Sequence, residues 1–513
     1  MAKLRGIFFG VSETTATKST TRSIAKNVFY GFTSWILPFV LTFFATRLIV
    51  KSLGNHEYGI YSLVLGFIGY SFVFSIGRAI TKYVAEYQST GESGKIKDII
   101  SATFFINLVL GLAGIVSVFL LSGWLVSDVM NIAPESHSRT LIALYIASTA
   151  IFFTLFTQVF SAIVQGLHRF DIYSKILNFS SISMLLGNLI IAWLGGGLIA
   201  LFWWNLFITC VTCALFYLSA KRLLPDFSVT HRFNKDSLKL VVGFSAGVVG
   251  YQILGNIWLL FERIWITRRL GTESLTHYVV PMTVSFQIQY FIASLVIVIF
   301  PLASELRNDR EKLERLYTKA TKIITMMVVF IGATIIVHSR LFLSLWMGAE
   351  FAEASANLLI IHTISFSLLA ILTVSWQMTE GLGYPNFYCY LYVLCLLISI
   401  PLMIFLSYDY GNGGVAIGRL VGYAVSFLSI IYVEKWFFKR ILAGFWLNLL
   451  GRLLPAAGAT VLVEILSINY LSDGWLALFL SSFIGGITYL SVLWLLGFVT
   501  EDEKVLVRNV FGR

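Results

Sequence analysis

Four polar residues in one long apolar segment have the spacing of a binding surface. The segment that begins near residue 241 contains Gln252, Asn256, Arg263 and Thr267. At about 100° per residue of an α-helix, these side chains fall within roughly 60° of one another over about four turns. An arginine inside a bilayer costs upward of about 2.5 kcal/mol, so such a residue usually faces a polar cavity. The stripe therefore predicts a substrate-facing cavity, with hydrogen bonding between helices as the alternative.

A second cationic stripe is expected near the end of another apolar segment. Arg78 and Lys82 share a helix face with Ser71 and Ser75, since the four positions lie within about 60° at 100° per residue. This face predicts a ligand contact for both cations. Their long side chains could equally reach lipid headgroups, and that alternative stays open.

Two further arginines are weaker candidates for the same site. Arg47 shares its helix face with apolar residues, so the outer membrane interface is its alternative position. Arg419 is flanked by glycines four residues apart, a ladder that is typical of closely packed helices. It is interpreted as either a cavity-lining residue or a packing cation. His338 and Arg340, near the end of another apolar segment, are interpreted as interfacial.

Carboxylates are scarce deep in the apolar segments, where Glu262 and Glu464 are the clear cases. Glu262 lies about 100° from Arg263 around the helix, so we expect it to pair with a residue of another helix. A cavity with more arginines than carboxylates favours an anionic substrate such as a phosphate or a pyrophosphate. The four cysteines lie in apolar runs and predict neither a disulfide framework nor a metal site.

The elements that position these residues are membrane-spanning helices. The 513 residues are 58% hydrophobic and 12% charged, with a mean hydropathy of +0.83, values that place the chain among polytopic all-α membrane proteins. A helix of roughly 20 apolar residues crosses about 30 Å of hydrocarbon. We predict fourteen such spans, beginning near residues 27, 60, 100, 141, 177, 198, 241, 279, 323, 356, 388, 415, 453 and 474.

The distribution of basic residues gives these spans an orientation. With the N-terminus inside, 28 of the 37 Lys and Arg fall in cytosolic segments and four in external loops. That bias is what the positive-inside rule predicts, so both termini are expected in the cytosol. Basic loops beside an anionic leaflet also account for the net charge of +11 without a nucleic-acid partner. The external loops are too short for an extramembrane catalytic domain, and no enzyme is expected.

The two halves of the chain are similar to one another. Lys51, Leu53, Gly54 and Tyr61 recur 217 residues later as Arg268, Leu270, Gly271 and Tyr278. Further pairs at the same or nearly the same offset are Met130 with Met347, Gly196 with Gly413, and Gly166 with Gly381. A weak internal repeat of this kind is a signature of membrane transporters.

At several of these residues the chain resembles a known family. Four segments together resemble the polysaccharide transporters, the O-antigen and exopolysaccharide flippases. They are SLGNHEYGIY (52–61), RAITKYVAEY (78–87), FER (261–263) with the following LG (270–271), and LWMGAEF (345–351). Their superfamily also holds the multidrug/toxin extruders and the lipid II flippase. Many members carry an acidic residue near the end of the second span, where this chain has Ser75. The resemblance therefore implies no ion coupling through an acid at this position.

The resemblance implies two pseudo-symmetric six-helix lobes around a central cationic cavity, with two extra C-terminal helices. We divide the chain accordingly into a cytosolic tail (1–26), a first lobe (27–220), a linker (221–240), a second lobe (241–433) and a C-terminal region (434–513). The implied activity moves an undecaprenyl-pyrophosphate-linked oligosaccharide from the cytoplasmic to the outer leaflet of the inner membrane by alternating access.

On this basis we hypothesise that Arg78, Lys82 and Arg263 contact the pyrophosphate, and that Gln252 and Asn256 bind sugar hydroxyls. No cofactor and no metal are expected, and the partners are the lipid-linked glycan and membrane lipids. Contact with glycan polymerase machinery and coupling to H⁺ or Na⁺ stay open. The alternatives are a multidrug/cation antiporter, a lipid II flippase and, more distantly, a membrane polysaccharide polymerase or ligase.

Overall fold

The computed structural model describes residues 18–72, 77–90, 92–167, 169–224, 235–296, 299–384, 386–471 and 474–498. In these ranges the chain forms helices and no strand, which confirms the all-α prediction. The α-helices are α1 (Lys18–Phe72), α2 (Gly77–Thr90), α3 (Ser93–Trp124), α4 (His137–Gly166), α5 (Phe170–Trp193), α6 (Leu198–Leu223), α7 (Lys235–Leu270), α8 (Thr272–Val296), α9 (Ile299–Glu305), α10 (Arg310–Met347), α11 (Ala349–Gly381), α12 (Asn386–Ser426), α13 (Leu428–Val433), α14 (Ala443–Tyr470) and α15 (Trp475–Leu495).

The chain is a multi-pass membrane protein. Ten helical segments of the described ranges are long and apolar enough to cross a bilayer, where a helix satisfies its own backbone hydrogen bonds. Two helices bend sharply at a glycine of positive φ, α1 at Gly54 (76°) and α12 at Gly411 (52°). Both bends fall where one predicted span ends and the next begins. The count of fourteen spans stays a prediction.

The first helix extends into the segment predicted as a cytosolic tail. Helix α1 begins at Lys18, nine residues inside the segment predicted as a tail (1–26), and residues 1–17 lie outside the described part. The sequence between Lys18 and Tyr30 contains neither glycine nor proline. Nothing in the backbone chemistry of these residues stops a helix from extending through them.

The structural elements repeat along the chain as the sequence landmarks do. Gly54 and Gly271 both have positive φ, at 76° and 90°, and each separates two long helices. Helices α4 and α11 end at the matched glycines Gly166 and Gly381. A methyl group at either glycine would collide with a short helix, α2 in the first half and α9 in the second. In each half, a glycine at the end of a long helix thus allows that helix to pack closely against a short one.

The apolar cores show how the halves are joined. One core contains residues of both halves, among them Tyr61, Phe202, Tyr278 and Trp346, and it lies at the end where Gly54 and Gly271 are found. Towards the other end, each half has a core of its own. We call the end with the shared core the closed end, and the end where each half has its own core the open end. The halves are therefore two arms that meet at one end of the molecule.

Two elements depart from a simple division into arms. Val241, at the start of α7 and assigned by sequence to the second lobe, packs in the separate core of the first arm. The C-terminal hairpin α14–α15 has a small core of its own, which packs on Met326 and Phe330 of α10. The hairpin is thus attached to the second arm.

Candidate functional site

The polar stripe of α7 lies along the junction of the two arms. Thr267 and Arg263, nearest the closed end, are buried, and Asn256 and Gln252 further along the helix are half-buried. The Thr267 hydroxyl donates to the Arg263 carbonyl at 2.8 Å. The stripe therefore leaves the sealed junction and becomes more accessible towards the open end.

Arg263 reaches from the second arm into the first. Its Nη1 donates to the Ser62 carbonyl oxygen at 2.8 Å, and its Nη2 donates to the Tyr70 hydroxyl at 3.5 Å. The guanidinium also lies 5.4 Å from the centre of the Tyr70 ring, within cation–π distance. Its Nε has no hydrogen-bond partner among the described residues. One donor of a buried cation is thus left available for another acceptor.

A glycine in α1 makes room for this arginine. Gly66 lies one helical turn from both Ser62 and Tyr70, so the three residues share the face that Arg263 covers. A Cβ at Gly66 would lie 2.5 Å from Arg263 Cδ, closer than two carbons can pack. The glycine therefore leaves the space that the Arg263 side chain occupies in this contact between the arms.

This contact gives a matched pair of variants. Gly66→Ala is expected to displace Arg263 and lower transport by roughly tenfold, the equivalent of about one charged hydrogen bond of 1.5 kcal/mol. Gly69→Ala is the control, because no described atom lies within 4 Å of a Cβ there. Both changes raise helix propensity alike, so equal transport by the two variants would contradict the contact. Export of cell-surface polysaccharide is the measurement.

Arg419 lies in a different environment from Arg263. It is fully buried in the second arm, where its Nε donates to Glu262 Oε1 at 2.7 Å and its Nη2 contacts the other carboxylate oxygen. The rings of Tyr278 and Phe366 each lie 5.4 Å from its guanidinium. The expected pairing of Glu262 with another helix is therefore present. This environment favours the interpretation of Arg419 as a packing cation.

Two of the other predicted cations, Arg47 and Lys82, are exposed. Arg47 is exposed on the first part of α1. Lys82 is exposed on α2, with its Nζ 4.8 Å from the centre of the Tyr83 ring. The side chain of Arg78 and the whole of Ser75 lie outside the described residues. The structure thus brings Arg263, Asn256 and Gln252 onto one face and leaves Lys82 on the arm that borders the open end.

A set of hydrogen bonds across the closed end was not predicted. His56 of the first arm bonds Thr272 of the second at 2.7 Å and Ser136 of its own arm at 3.1 Å. The Thr276 hydroxyl donates to the Asn55 carbonyl at 2.5 Å. We call these residues the latch. The internal repeat placed Gly54 and Gly271 in equivalent positions, but a repeat does not show that two equivalent turns touch.

Glu380, a carboxylate at the end of α11, accepts hydrogen bonds from two side chains. Glu380 Oε1 accepts from the Tyr251 hydroxyl at 2.7 Å and from Trp376 Nε1 at 2.9 Å. The described residues contain no cluster of three or more His, Cys, Asp or Glu side chains that could hold a metal ion. The chemistry that these residues offer is the binding of an anion by arginine and the hydrogen bonding of hydroxyl groups by amides.

The sequence matches a family profile and is similar to curated proteins. The profile of the family described as polysaccharide biosynthesis protein matches residues 45–356. A Shigella flexneri protein provisionally named an O-antigen transporter is 20% identical over 433 residues, which cover 82% of this chain and 98% of that protein.

Comparison with solved structures shows the same fold. A lipid II flippase in an inward closed conformation has a TM-score of 0.68 at 16% identity, covering 90% of this chain and 99% of that one. An inward-facing multidrug resistance transporter of the MATE family, in the MOP superfamily, has a TM-score of 0.65 at 18% identity, covering 77% and 94%. The chain is similar to both in architecture.

Proposed function

The chain belongs to the polysaccharide biosynthesis protein family, and on that basis we propose that it is a flippase. Its substrate is an undecaprenyl-pyrophosphate-linked oligosaccharide, the repeat unit of an O-antigen or exopolysaccharide. The protein carries this lipid from the cytoplasmic to the outer leaflet of the inner membrane by alternating access. It is a transporter and not an enzyme. The Shigella flexneri relative, similar over almost its full length, supports the substrate class.

The observation that carries this proposal is the buried Arg263 at the junction of the arms. A guanidinium binds phosphate oxygens through paired hydrogen bonds, which is why arginine is the usual ligand for such groups. Arg263 is held by a carbonyl and a phenol of the other arm, both neutral. A pyrophosphate offers it stronger, charged acceptors. When the substrate binds, Arg263 would thus leave its partners on the other arm and bind the pyrophosphate instead.

The accessible part of the stripe suits the sugar moiety. Asn256 and Gln252 are half-buried on the same face of α7 as Arg263, and amides can both donate to and accept from hydroxyl groups. Arg78 and Lys82, on the helix that borders the open end, would meet the pyrophosphate first. Arg47 stays a weaker candidate, and Arg419 supports the site only by neutralising Glu262.

The orientation follows from the basic residues. Basic segments at the end of α6, at the start of α7 and over 304–322 adjoin the open end, and the positive-inside rule places them in the cytosol. The open end then faces the cytoplasm, and the latch closes the outer side. The outward transition would have to break the latch and release Arg263 from Ser62.

The carboxylates of the second arm favour a flippase over a cation antiporter of the same fold. A site for cationic drugs needs a carboxylate that is free to pair with the substrate. Glu262 is already paired with Arg419, and Glu380 accepts two hydrogen bonds from neighbouring side chains. Each of these carboxylates is thus engaged within the protein.

The proposal is tested by the lipid that accumulates when the protein is lost. Cells without it are expected to retain the undecaprenyl-linked repeat unit on the cytoplasmic side and to lose the surface polysaccharide, as measured by mass spectrometry of the lipid-linked glycans. Expression of the wild-type chain should reverse both effects. Normal export in cells that lack the protein and any second flippase would contradict the proposal.

A further inference from the structure

A buried acid and a buried imidazole face each other where the C-terminal hairpin packs on α10. Glu464 of α14 has no exposed surface, and His338 of α10 is 3% exposed. His338 Nδ1 lies 3.8 Å from Glu464 Oε2. The sequence suggested an interfacial position for His338, and the structure corrects this, because α15 covers the ring with Ser481. The pair takes no part in the site between the arms.

The two oxygens of Glu464 differ in their partners. The Thr334 hydroxyl donates to Oε1 at 2.8 Å, whereas Oε2 has no hydrogen-bond partner among the described residues. Gly485 of α15 lies against Oε1 so closely that a Cβ there would collide with it. An ionised carboxylate with one donor is costly in such surroundings unless a cation or a proton neutralises it.

His338 is placed to supply or share that proton. Its Nδ1 lies 2.9 Å from the Thr334 carbonyl oxygen, which can only accept, so Nδ1 carries a hydrogen. Its Nε2 lies 2.5 Å from the Ser481 hydroxyl, and that hydroxyl lies 3.2 Å from the Leu478 carbonyl. Ser481 can donate to a neutral Nε2, or it can donate to Leu478 and accept from a protonated Nε2. Both protonation states of His338 are therefore satisfied.

The other charged residues of the helices around the pair are either distant along the helix or exposed. On α14 the nearest charged residue is Arg452, about 18 Å along the axis, and on α10 Lys322 is about 24 Å away. Arg340 of α10 is only two residues from His338, but its side chain is exposed. Helix α15 has Tyr489 as its ionisable residue, and its hydroxyl donates to the Met326 carbonyl at 2.9 Å. Neutralisation of Glu464 thus depends on His338 or on a proton.

We propose that Glu464 and His338 form an intramembrane proton-binding site, with one proton from water shared between the carboxyl group and the imidazole. The proton sits on Glu464 in one arrangement and on His338 in the other, and the pair is neutral in both. Its loss leaves an uncompensated carboxylate between α10 and the hairpin and loosens their packing. A proton suits the site better than a metal ion, because the Thr334 hydroxyl directs a hydrogen, not a lone pair, towards the carboxylate, and both nitrogens of His338 are engaged by other groups. The site does not depend on the identity of the transported lipid.

The test is a pH titration of the full-length protein in lipid nanodiscs, followed by infrared difference spectroscopy without substrate. The wild type is expected to show a carboxyl or imidazole band that titrates and is absent from Glu464→Gln, a change that keeps the size of the side chain. Glu434 provides the matched control. It is also fully buried, but it accepts from Tyr317, Trp446 and the Leu442 amide. Glu434→Gln should keep the titrating band.

A second variant covers a failure of Glu464→Gln to fold. Ser481→Ala removes the acceptor for a protonated Nε2 and is expected to shift the titration midpoint. A titrating band that persists in Glu464→Gln, or an unchanged midpoint in Ser481→Ala, would overturn the proposal. Either result leaves the flippase proposal standing, since translocation of the lipid is measured separately.

Discussion

Replacing Arg263 by alanine is expected to reduce polysaccharide export by about 10- to 100-fold. The change removes a charge-assisted hydrogen bond of roughly 1.5–3 kcal/mol, and each 1.4 kcal/mol corresponds to about tenfold. In the flippase account the same guanidinium serves both the closed junction and the pyrophosphate. Its loss therefore affects substrate binding as well as the junction. Surface polysaccharide per cell, normalised to the amount of protein in the membrane, is the measurement.

Two variants test whether the guanidinium group of Arg263 matters beyond its positive charge, and whether its position matters. Arg263→Lys keeps a cation but loses the planar, paired donors, so export should fall to a level between those of the wild type and Arg263→Ala. Arg340→Ala removes an exposed arginine outside the junction and should export normally. Wild-type export by Arg263→Ala, with Arg78→Ala equally active, would remove the basis of the proposed site.

Breaking the buried ion pair of the second arm should have the other large effect. Arg419→Met leaves Glu262 as an unpaired buried carboxylate, and Glu262→Gln leaves Arg419 without its counter-charge. Removing one partner of a buried pair costs about 3–5 kcal/mol. Each single variant is therefore expected to unfold at a markedly lower temperature and to be scarce in the membrane. Thermal unfolding of purified protein in detergent is the measurement.

The double variant distinguishes packing from substrate binding at this position. Replacing both residues by apolar ones of similar size, as in Glu262→Met with Arg419→Leu, should restore stability, because neither charge is then left unpaired. Export should return with it if Arg419 is a packing cation. A double variant that is stable but does not export would show that Arg419 touches the substrate after all.

The helical architecture of this chain could be predicted from its sequence, because hydropathy and the internal repeat are visible in short stretches of residues. Gly54 and Gly271 were matched by their neighbours, and both proved to be backbone positions of positive φ. The polar stripe of α7 was predicted from helical spacing alone, and its four residues do share one face. The directions of side chains around a helix follow from their spacing in the sequence, so they can be predicted without knowing how the helices pack.

The partners of the charged residues were not accessible in the same way. Arg419 stood in a glycine ladder that predicted close packing, but the ladder could not indicate that Glu262 lay opposite. Arg263 bonds to Ser62, 201 residues away in the chain, and His338 is covered by a helix that begins at Trp475. Which helices lie side by side depends on the packing of the whole bundle. The role of a membrane arginine or histidine depends in turn on that neighbour.

The most direct test of the flippase account is translocation by the purified protein. Liposomes containing an undecaprenyl-pyrophosphate-linked repeat unit would be reconstituted with the wild type or with Arg263→Ala, and the lipid exposed on each side would be measured with a membrane-impermeant enzyme that cleaves the glycan. The account predicts rapid exchange between leaflets with the wild type and strongly reduced exchange with the variant. Wild-type liposomes that keep the lipid in its original leaflet, while they move a cationic dye, would contradict it.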